Sequence, residues 1–136
     1  MSQHGSQNDR MMSVSASTYS GDALRADLAI IAEWIKPDCK VLDLGCGVGS
    51  LLSYLRDERY VTGYGLEISP FNVEECVEKQ VNVIQANLND GLKAYFVDNS
   101  FDYVIMSQTL QATEQPDALI EEMLRVGDEG IVTVPN

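Results

Sequence analysis

The sequence predicts an α/β domain with a mainly parallel sheet wound on both faces, and three observations predict it. Strand-length apolar runs alternate with helix-length amphipathic segments from Leu24 to Val134. The run Phe101–Ser107 is nearly continuously apolar, as a strand covered on both faces must be. Val41–Leu44 leads into a loop with glycine at every second position, Gly45, Gly47 and Gly49, where a buried strand gives way to a helix.

The elements follow in order. Residues 1–19 have low hydrophobicity and no period, and are expected to be a disordered arm preceding a single domain over residues 20–136. Leu24, Leu28, Ile31 and Ile35 recur at helical spacing, with Arg25, Asp27, Glu33 and Lys36 on the other face. Asp22 or Ser20 is placed to cap this helix, Pro37 ends it, and Trp34 is expected at its packed edge. The first strand is Lys40–Leu44, and a helix from about Ser50 buries Leu51, Leu52 and Leu55 before the charged cluster Arg56–Arg59. Val61–Ile68 is the second strand. Ser69-Pro70 then starts a helix that runs to about Lys79, with Val73, Cys76 and Val77 turned inward. Val81–Leu88 is the third strand, Asn89-Asp90-Gly91 a turn, and Leu92–Phe96 a short helix. Phe101–Ser107, a helix over Pro116–Arg125 and a fifth strand over Gly130–Val134 complete the pattern.

Composition excludes several classes of function. The 136 residues are 45% hydrophobic, enough for a packed core, yet no apolar run approaches the roughly 20 residues a bilayer span requires. No basic, apolar leader opens the chain, so a cytoplasmic location is expected. The net charge of −12, with nine scattered Lys and Arg, opposes binding to a phosphate backbone, and no nucleic-acid partner is expected. Cys39, Cys46 and Cys76 contain no C-x-x-C pair, which supports neither a disulfide framework nor a zinc site. The single histidine, His4, lies in the arm; a Ser-His-Asp or Cys-His triad cannot be built, and no metal site is expected.

The candidate site gathers at the carboxyl ends of the strands, where ligands bind in sheets of this kind. The glycine loop departs from G-x-G-x-x-G, because Ser50 stands three residues after Gly47 and Gly49 falls one place early. Asp43, two residues before the first glycine, is ill suited to a pyrophosphate and well suited to a sulfonium and an ammonium. The loop residues Asp43, Gly45, Cys46, Gly47 and Gly49 therefore favour S-adenosylmethionine (SAM), or S-adenosylhomocysteine, over NAD. Glu67 ends the second strand 18 residues past Gly49, where an acid accepts two hydrogen bonds from a ribose diol; otherwise it is a surface Glu before a helix. Asn87 ends the third strand, placed either to accept an adenine N–H or to serve only the turn to Asn89. Ile68 and Leu88 either sandwich the adenine ring or are ordinary core. Ser107, with Gln108, Thr109, Leu110 and Gln111, would face an acceptor with neutral groups, so no catalytic base is identified. Asp102, early in its strand, reads as structural.

These residues resemble the MetW family of methionine-biosynthesis proteins, which have the Rossmann-like fold of class I SAM-dependent methyltransferases. The resemblance runs from Arg25 to Asn136. It is carried by Arg25-x-Asp27-Leu28 with Trp34-Ile35, by Val41-Leu42-Asp43-Leu44-Gly45-Cys46-Gly47, and by Gly63-Tyr64-Gly65 with Glu67. Asn82-Val83-Ile84-Gln85, Ser100–Ile105, Ser107-Gln108-Thr109-Leu110-Gln111 and Glu122–Gly127 extend it, the Ser-Gln-Thr-Leu-Gln segment being the most specific. It implies that Asp43, Gly45 and Gly47 hold the methionine side of SAM and Glu67 its ribose. It also implies support of a homoserine O-acyltransferase, with active methyl transfer to a small molecule as the alternative. The chain departs from the family at Asn87, usually Asp, and at Val48, usually polar, while Gln111 stands where many small-molecule methyltransferases of this fold have a histidine. Gln80 stands where a glycine usually ends the helix, a change worth about 1 kcal/mol if φ is positive there. Family members continue past Pro135-Asn136, so a fold ending after the fifth strand is expected, with one side of Gly130–Val134 unpaired, either as a truncation or as an edge used by a partner.

Overall fold

The structure, a computed structural model, describes residues 9–15, 26–109 and 113–134. Six strands form one sheet in the order β1-β6-β5-β2-β3-β4, every neighbouring pair parallel. The strands are β1 (Met11–Ser15), β2 (Lys40–Leu44), β3 (Thr62–Glu67), β4 (Asn82–Gln85), β5 (Phe101–Thr109) and β6 (Gly127–Val134). The helices are α1 (Ala26–Trp34), α2 (Ser50–Arg59), α3 (Pro70–Glu78) and α4 (Pro116–Val126). From β2 the chain winds outward through β3 to β4, then returns to β5 on the other side, so the strand order reverses at β2. The crevice that such a reversal opens lies above the carboxyl end of β2, where the glycine loop begins.

Alternation along the strands divides the core into two layers, because successive side chains point to opposite faces. Val41, Tyr103, Ile105 and Ile131 pack with Ile31, Ile35, Leu52 and Leu55 of the α1 and α2 region. Leu42, Leu44, Val104, Met106 and Val132 pack with Leu119, Met123 and Val126 of α4. The central strands are thus covered on both sides, the physical reason that Phe101–Met106 shows so little alternation in its sequence.

Several expected elements need correction. The arm expected over residues 1–19 contains β1, which pairs in register with β6 from Met11↔Gly130 to Ser15↔Val134. The edge of Gly130–Val134 expected to be unpaired is therefore occupied. Arg10 fixes this strand by donating to the carbonyls of Leu124, Gly127 and Asp128 at 2.6–2.7 Å, closing the end of α4. The short helix expected over Leu92–Phe96 is a hydrogen-bonded turn, and a 3-10 turn spans Leu88–Asp90, taking Leu88 out of the third strand. Val77, expected inward, is 62% exposed, whereas Asp27, expected outward, is buried. Ser20, Asp22 and Leu24, placed at the start of the first helix, lie outside the described residues, as do residues 1–8, 16–25, 110–112, 135 and 136.

Helix α3 shows how local sequence sets the site. Ser69 accepts the Asn72 N–H at 3.4 Å as the cap, and Pro70 takes the first turn, as the sequence predicts. At the far end Val81 N–H reaches Cys76 O at 2.9 Å and Gln80 N–H reaches Val77 O at 3.0 Å, a Schellman closure with Gln80 at φ 61°. Gln80 thus occupies a left-handed position that favours glycine.

Candidate cofactor site

The glycine loop leaves β2 and folds back over the end of β3. Gly45 N–H and Cys46 N–H both donate to Leu66 O, at 2.7 and 3.2 Å, and Gly49 N–H donates to Cys46 O at 3.1 Å, just ahead of α2. Gly47 and Gly49 both have positive φ, 60° and 85°, and the space beside them differs. A Cβ at Gly47 would meet nothing within 4 Å, so bare backbone faces open space at the crevice. A Cβ at Gly49 would press on Cys76 Sγ at 3.0 Å, so that glycine serves packing against α3.

Glu67, 8% exposed, reaches from the end of β3 to the centre of this loop. Its Oε1 accepts Gly47 N–H at 2.8 Å, while Oε2 accepts Ser69 N–H at 3.1 Å and Asn72 Nδ2 at 3.2 Å. Three donors hold the carboxylate at a fixed point beside Gly47, and its two oxygens retain acceptor capacity for hydroxyl donors. Asp43, 1% exposed, stands opposite Gly65 on β3 and Ile105 on β5. The crevice floor thus carries two carboxylates.

The loop is braced from α3 as well. Lys79 Nζ donates to Val48 O at 2.8 Å, and Cys76 Sγ lies 3.3 Å from Gly47 O. Cys46 is buried, its Sγ 3.7 Å from Cys76 Sγ, and a Cβ at Gly65 would collide with it. Burial first, then the Asp43 carboxylate and the Cys76 thiol, push the Cys46 thiol well above its ordinary range. Burial likewise raises Cys76.

The structure therefore brings together Gly45, Cys46, Gly47, Gly49 and Glu67, with Asp43 at the strand end beneath them. The other expected residues fare differently. Asn87 Oδ1 accepts Asn89 N–H at 2.9 Å, the turn contact expected of it, and keeps a second lone pair. Ile68 is 57% exposed and cannot be ordinary core, while Leu88 packs on the α4 side of the sheet. Asp102 Oδ2 accepts Lys40 N–H at 2.8 Å, the structural role expected of it. Ser107 lies on β5 with its side chain outside what is described, and Leu110 and Gln111 lie outside the described residues. The β5–β6 register shifts between Met106 and Thr109, an irregularity of the kind that re-aims side chains beside ligand sites.

Asn72, Cys76 and Lys79 were not expected at the site. Asn72 had a readable signal: it is the third residue after the Ser69 cap, where a side chain turns back toward the preceding strand end. Lys79 reaches its partner 31 residues away in sequence, and no local pattern announces that. Among the described residues no cluster of His, Cys, Asp and Glu could hold a metal ion.

A sheet reversing at β2, a glycine loop above it and an acid at the end of the adjacent strand define the class I fold of SAM-dependent methyltransferases. Solved structures share it: a SAM-dependent methyltransferase from Aquifex aeolicus superposes with TM-score 0.60 at 26% identity, covering 73% of this chain and 56% of that one. Another from Thiobacillus denitrificans, in complex with S-adenosylhomocysteine, gives 0.61 at 19% identity over 74% and 43% of the two chains. Residues 25–136 match the family model described as methionine biosynthesis protein MetW, and the chain belongs to that family. The bifunctional methionine biosynthesis protein MetXA/MetW of Rhodopirellula baltica is 41% identical over 121 residues, which are 83% of this chain and 19% of that protein.

Proposed function

We propose that this MetW-family chain binds SAM, or S-adenosylhomocysteine, in the crevice above β2 and thereby supports a homoserine O-acyltransferase of methionine synthesis. The observation that carries the cofactor reading is the meeting of Gly47 and Glu67. Bare backbone borders open space, and a fixed carboxylate stands beside it, which together fit a ligand passing close to the loop with hydroxyls to donate. In this assignment Glu67 takes the ribose diol, Asp43 faces the amino-acid ammonium and the sulfonium, and exposed Ile68 covers one face of the adenine. Bound SAM supplies a methyl group on an activated sulfonium. The buried Asp43 carboxylate matches that cationic end and mismatches a pyrophosphate, which disfavours NAD.

The partner reading draws on a different observation. In the Rhodopirellula relative a MetW segment and a MetXA segment share one polypeptide, and joining two proteins covalently holds each at high effective concentration near the other. A separate chain would reach the same association through a surface. Copurification of this chain with a homoserine O-acyltransferase, and loss of acyltransferase output when the chain is omitted, are the expected results. Unchanged output with and without the chain contradicts the proposal.

Active methyl transfer to a small molecule is the second reading, favoured by the same crevice. The sequence provides no histidine beyond His4 and no base at the acceptor side, so such an acceptor must already be a good nucleophile. Labelled product formed from SAM and a metabolite mixture would establish it.

A further inference from the structure

Two of the three thiols lie against the cofactor loop, and they lie against each other. Cys46 is part of the loop, Cys76 is on α3, and their sulfurs are 3.7 Å apart. Glycine at position 65 leaves room for Cys46 Sγ, and Gly49 lets the loop settle onto Cys76. Cys76 Sγ also contacts Gly47 O, the carbonyl of the residue whose N–H binds Glu67. Cys39, half-buried before the opposite end of β2, is remote from this arrangement.

We propose that Cys46 and Cys76 are a reversible oxidative modification site, closing to a disulfide that reshapes the cofactor loop. A disulfide requires the sulfurs to approach by about 1.7 Å from their present 3.7 Å separation, a movement the loop and α3 must share. The chemistry needs a hydroperoxide as oxidant. One thiol sulfur takes oxygen from hydrogen peroxide, becoming a sulfenic acid as one water leaves. The second sulfur attacks it, its proton leaves with the hydroxyl as a second water, and the S–S bond forms. Two electrons pass from the thiol pair to the peroxide, and an external dithiol returns them. Burial of both thiols makes the closed site slow to react, so oxidation proceeds through openings of the loop and any ligand that holds the loop closed retards it. The functional consequence rests on the SAM reading above, because drawing Cys46 toward α3 moves Gly47 relative to Glu67.

The test oxidises the full chain with hydrogen peroxide, maps peptides without reduction, and titrates SAM before and after. The expected results are a crosslink between the peptides holding Cys46 and Cys76, a SAM dissociation constant raised roughly tenfold or more, recovery with dithiothreitol, and slower crosslinking when SAM is present. Cys76→Ser, with Cys76→Ala as a second variant, should form no crosslink and show no peroxide-dependent change, whereas Cys39→Ser should behave as the unaltered chain. Absence of the crosslink, or a crosslink that leaves SAM affinity unchanged, overturns the proposal. Reduced protein that binds no SAM contradicts the cofactor reading separately, and the peptide map still decides the disulfide.

Discussion

Glu67 concentrates most of the site's chemistry in one side chain. It accepts from Gly47, Ser69 and Asn72, so it both shapes the loop and presents oxygen to the crevice. Replacing it with Ala should weaken SAM binding by roughly 1.5–3 kcal/mol, the range for a charge-assisted hydrogen bond, measured by calorimetric titration. Asn72 Nδ2 reaches the site by donating to Glu67 Oε2. Asn72→Ala should weaken SAM binding less than Glu67→Ala does, and should have almost no effect in a chain already carrying Glu67→Ala; additive losses would show that Asn72 works by another route. The pairing of glycine loop with distant acid was legible in the sequence because both ends of the contact follow strands, at a spacing the fold requires. The Asn87 reading stayed open there, since an amide oxygen fits either an adenine or an Asx turn; the turn bond is present, with Asn89 N–H donating at 2.9 Å. At position 80 the sequence reading anticipated a left-handed residue, and φ is 61°. Gln80→Gly should therefore stabilise the fold by about 1 kcal/mol, read as a rise of a few degrees in Tm.

Among the elements, helix ends explain where this acidic chain uses its arginines. Arg59 donates to Ala32 O and Glu33 O at the end of α1, Arg56 to Lys79 O and Gln80 O just past α3, and Arg10 to Leu124 O at the end of α4 and to Gly127 O and Asp128 O at the start of β6. Each meets at least one carbonyl of the kind a helix end leaves without an intrahelical partner, at the negative end of its dipole. Arg10→Ala should loosen β1 and raise amide exchange of Ile131–Thr133 in β6 roughly tenfold or more; exchange unchanged from the parent would mean that β1 holds without its clamp. Arg125 works within α4, binding Glu122 at 2.8 Å, Asp98 at 2.8 Å and Phe96 O at 3.1 Å. Its hydrogen bond draws the Glu122 carboxyl below the ordinary range. A carboxylate held low in the folded state contributes stability above its unfolded pKa and loses it as pH falls through the folded value. Arg125→Met should therefore cost about 1–2 kcal/mol near pH 7, most of it from Glu122 because Asp98 is largely exposed. The gap in Tm should narrow below about pH 4; a gap independent of pH would place the loss in packing instead.

For the whole molecule, the sequence disclosed what is local and concealed what is distant. Lys40–Leu44 appears as a strand within the expected limits, since its apolar run is bounded by Pro37-Asp38 and by glycine. The switch from strand to loop at Gly45 was readable for the same reason. Strand β1 was not, because Met11–Ser15 alternates only weakly and its strand partner among the described residues, β6, lies more than a hundred residues along the chain. A segment of low hydrophobicity is ordered here by pairing, which composition does not record. The same sheet puts Asp43 and Glu67 toward the carboxyl ends of adjacent strands. The chain spans 43–56% of the two solved neighbours described above.

The central claim is that the crevice between the glycine loop and Glu67 receives an adenosyl sulfonium. The direct measurement is calorimetric titration of the chain and of its Glu67→Ala variant with SAM, S-adenosylhomocysteine and NAD. The account predicts saturable binding of the first two, about tenfold or more weaker in the variant, and no comparable binding of NAD. No binding of SAM, or NAD bound more tightly than SAM, would contradict it.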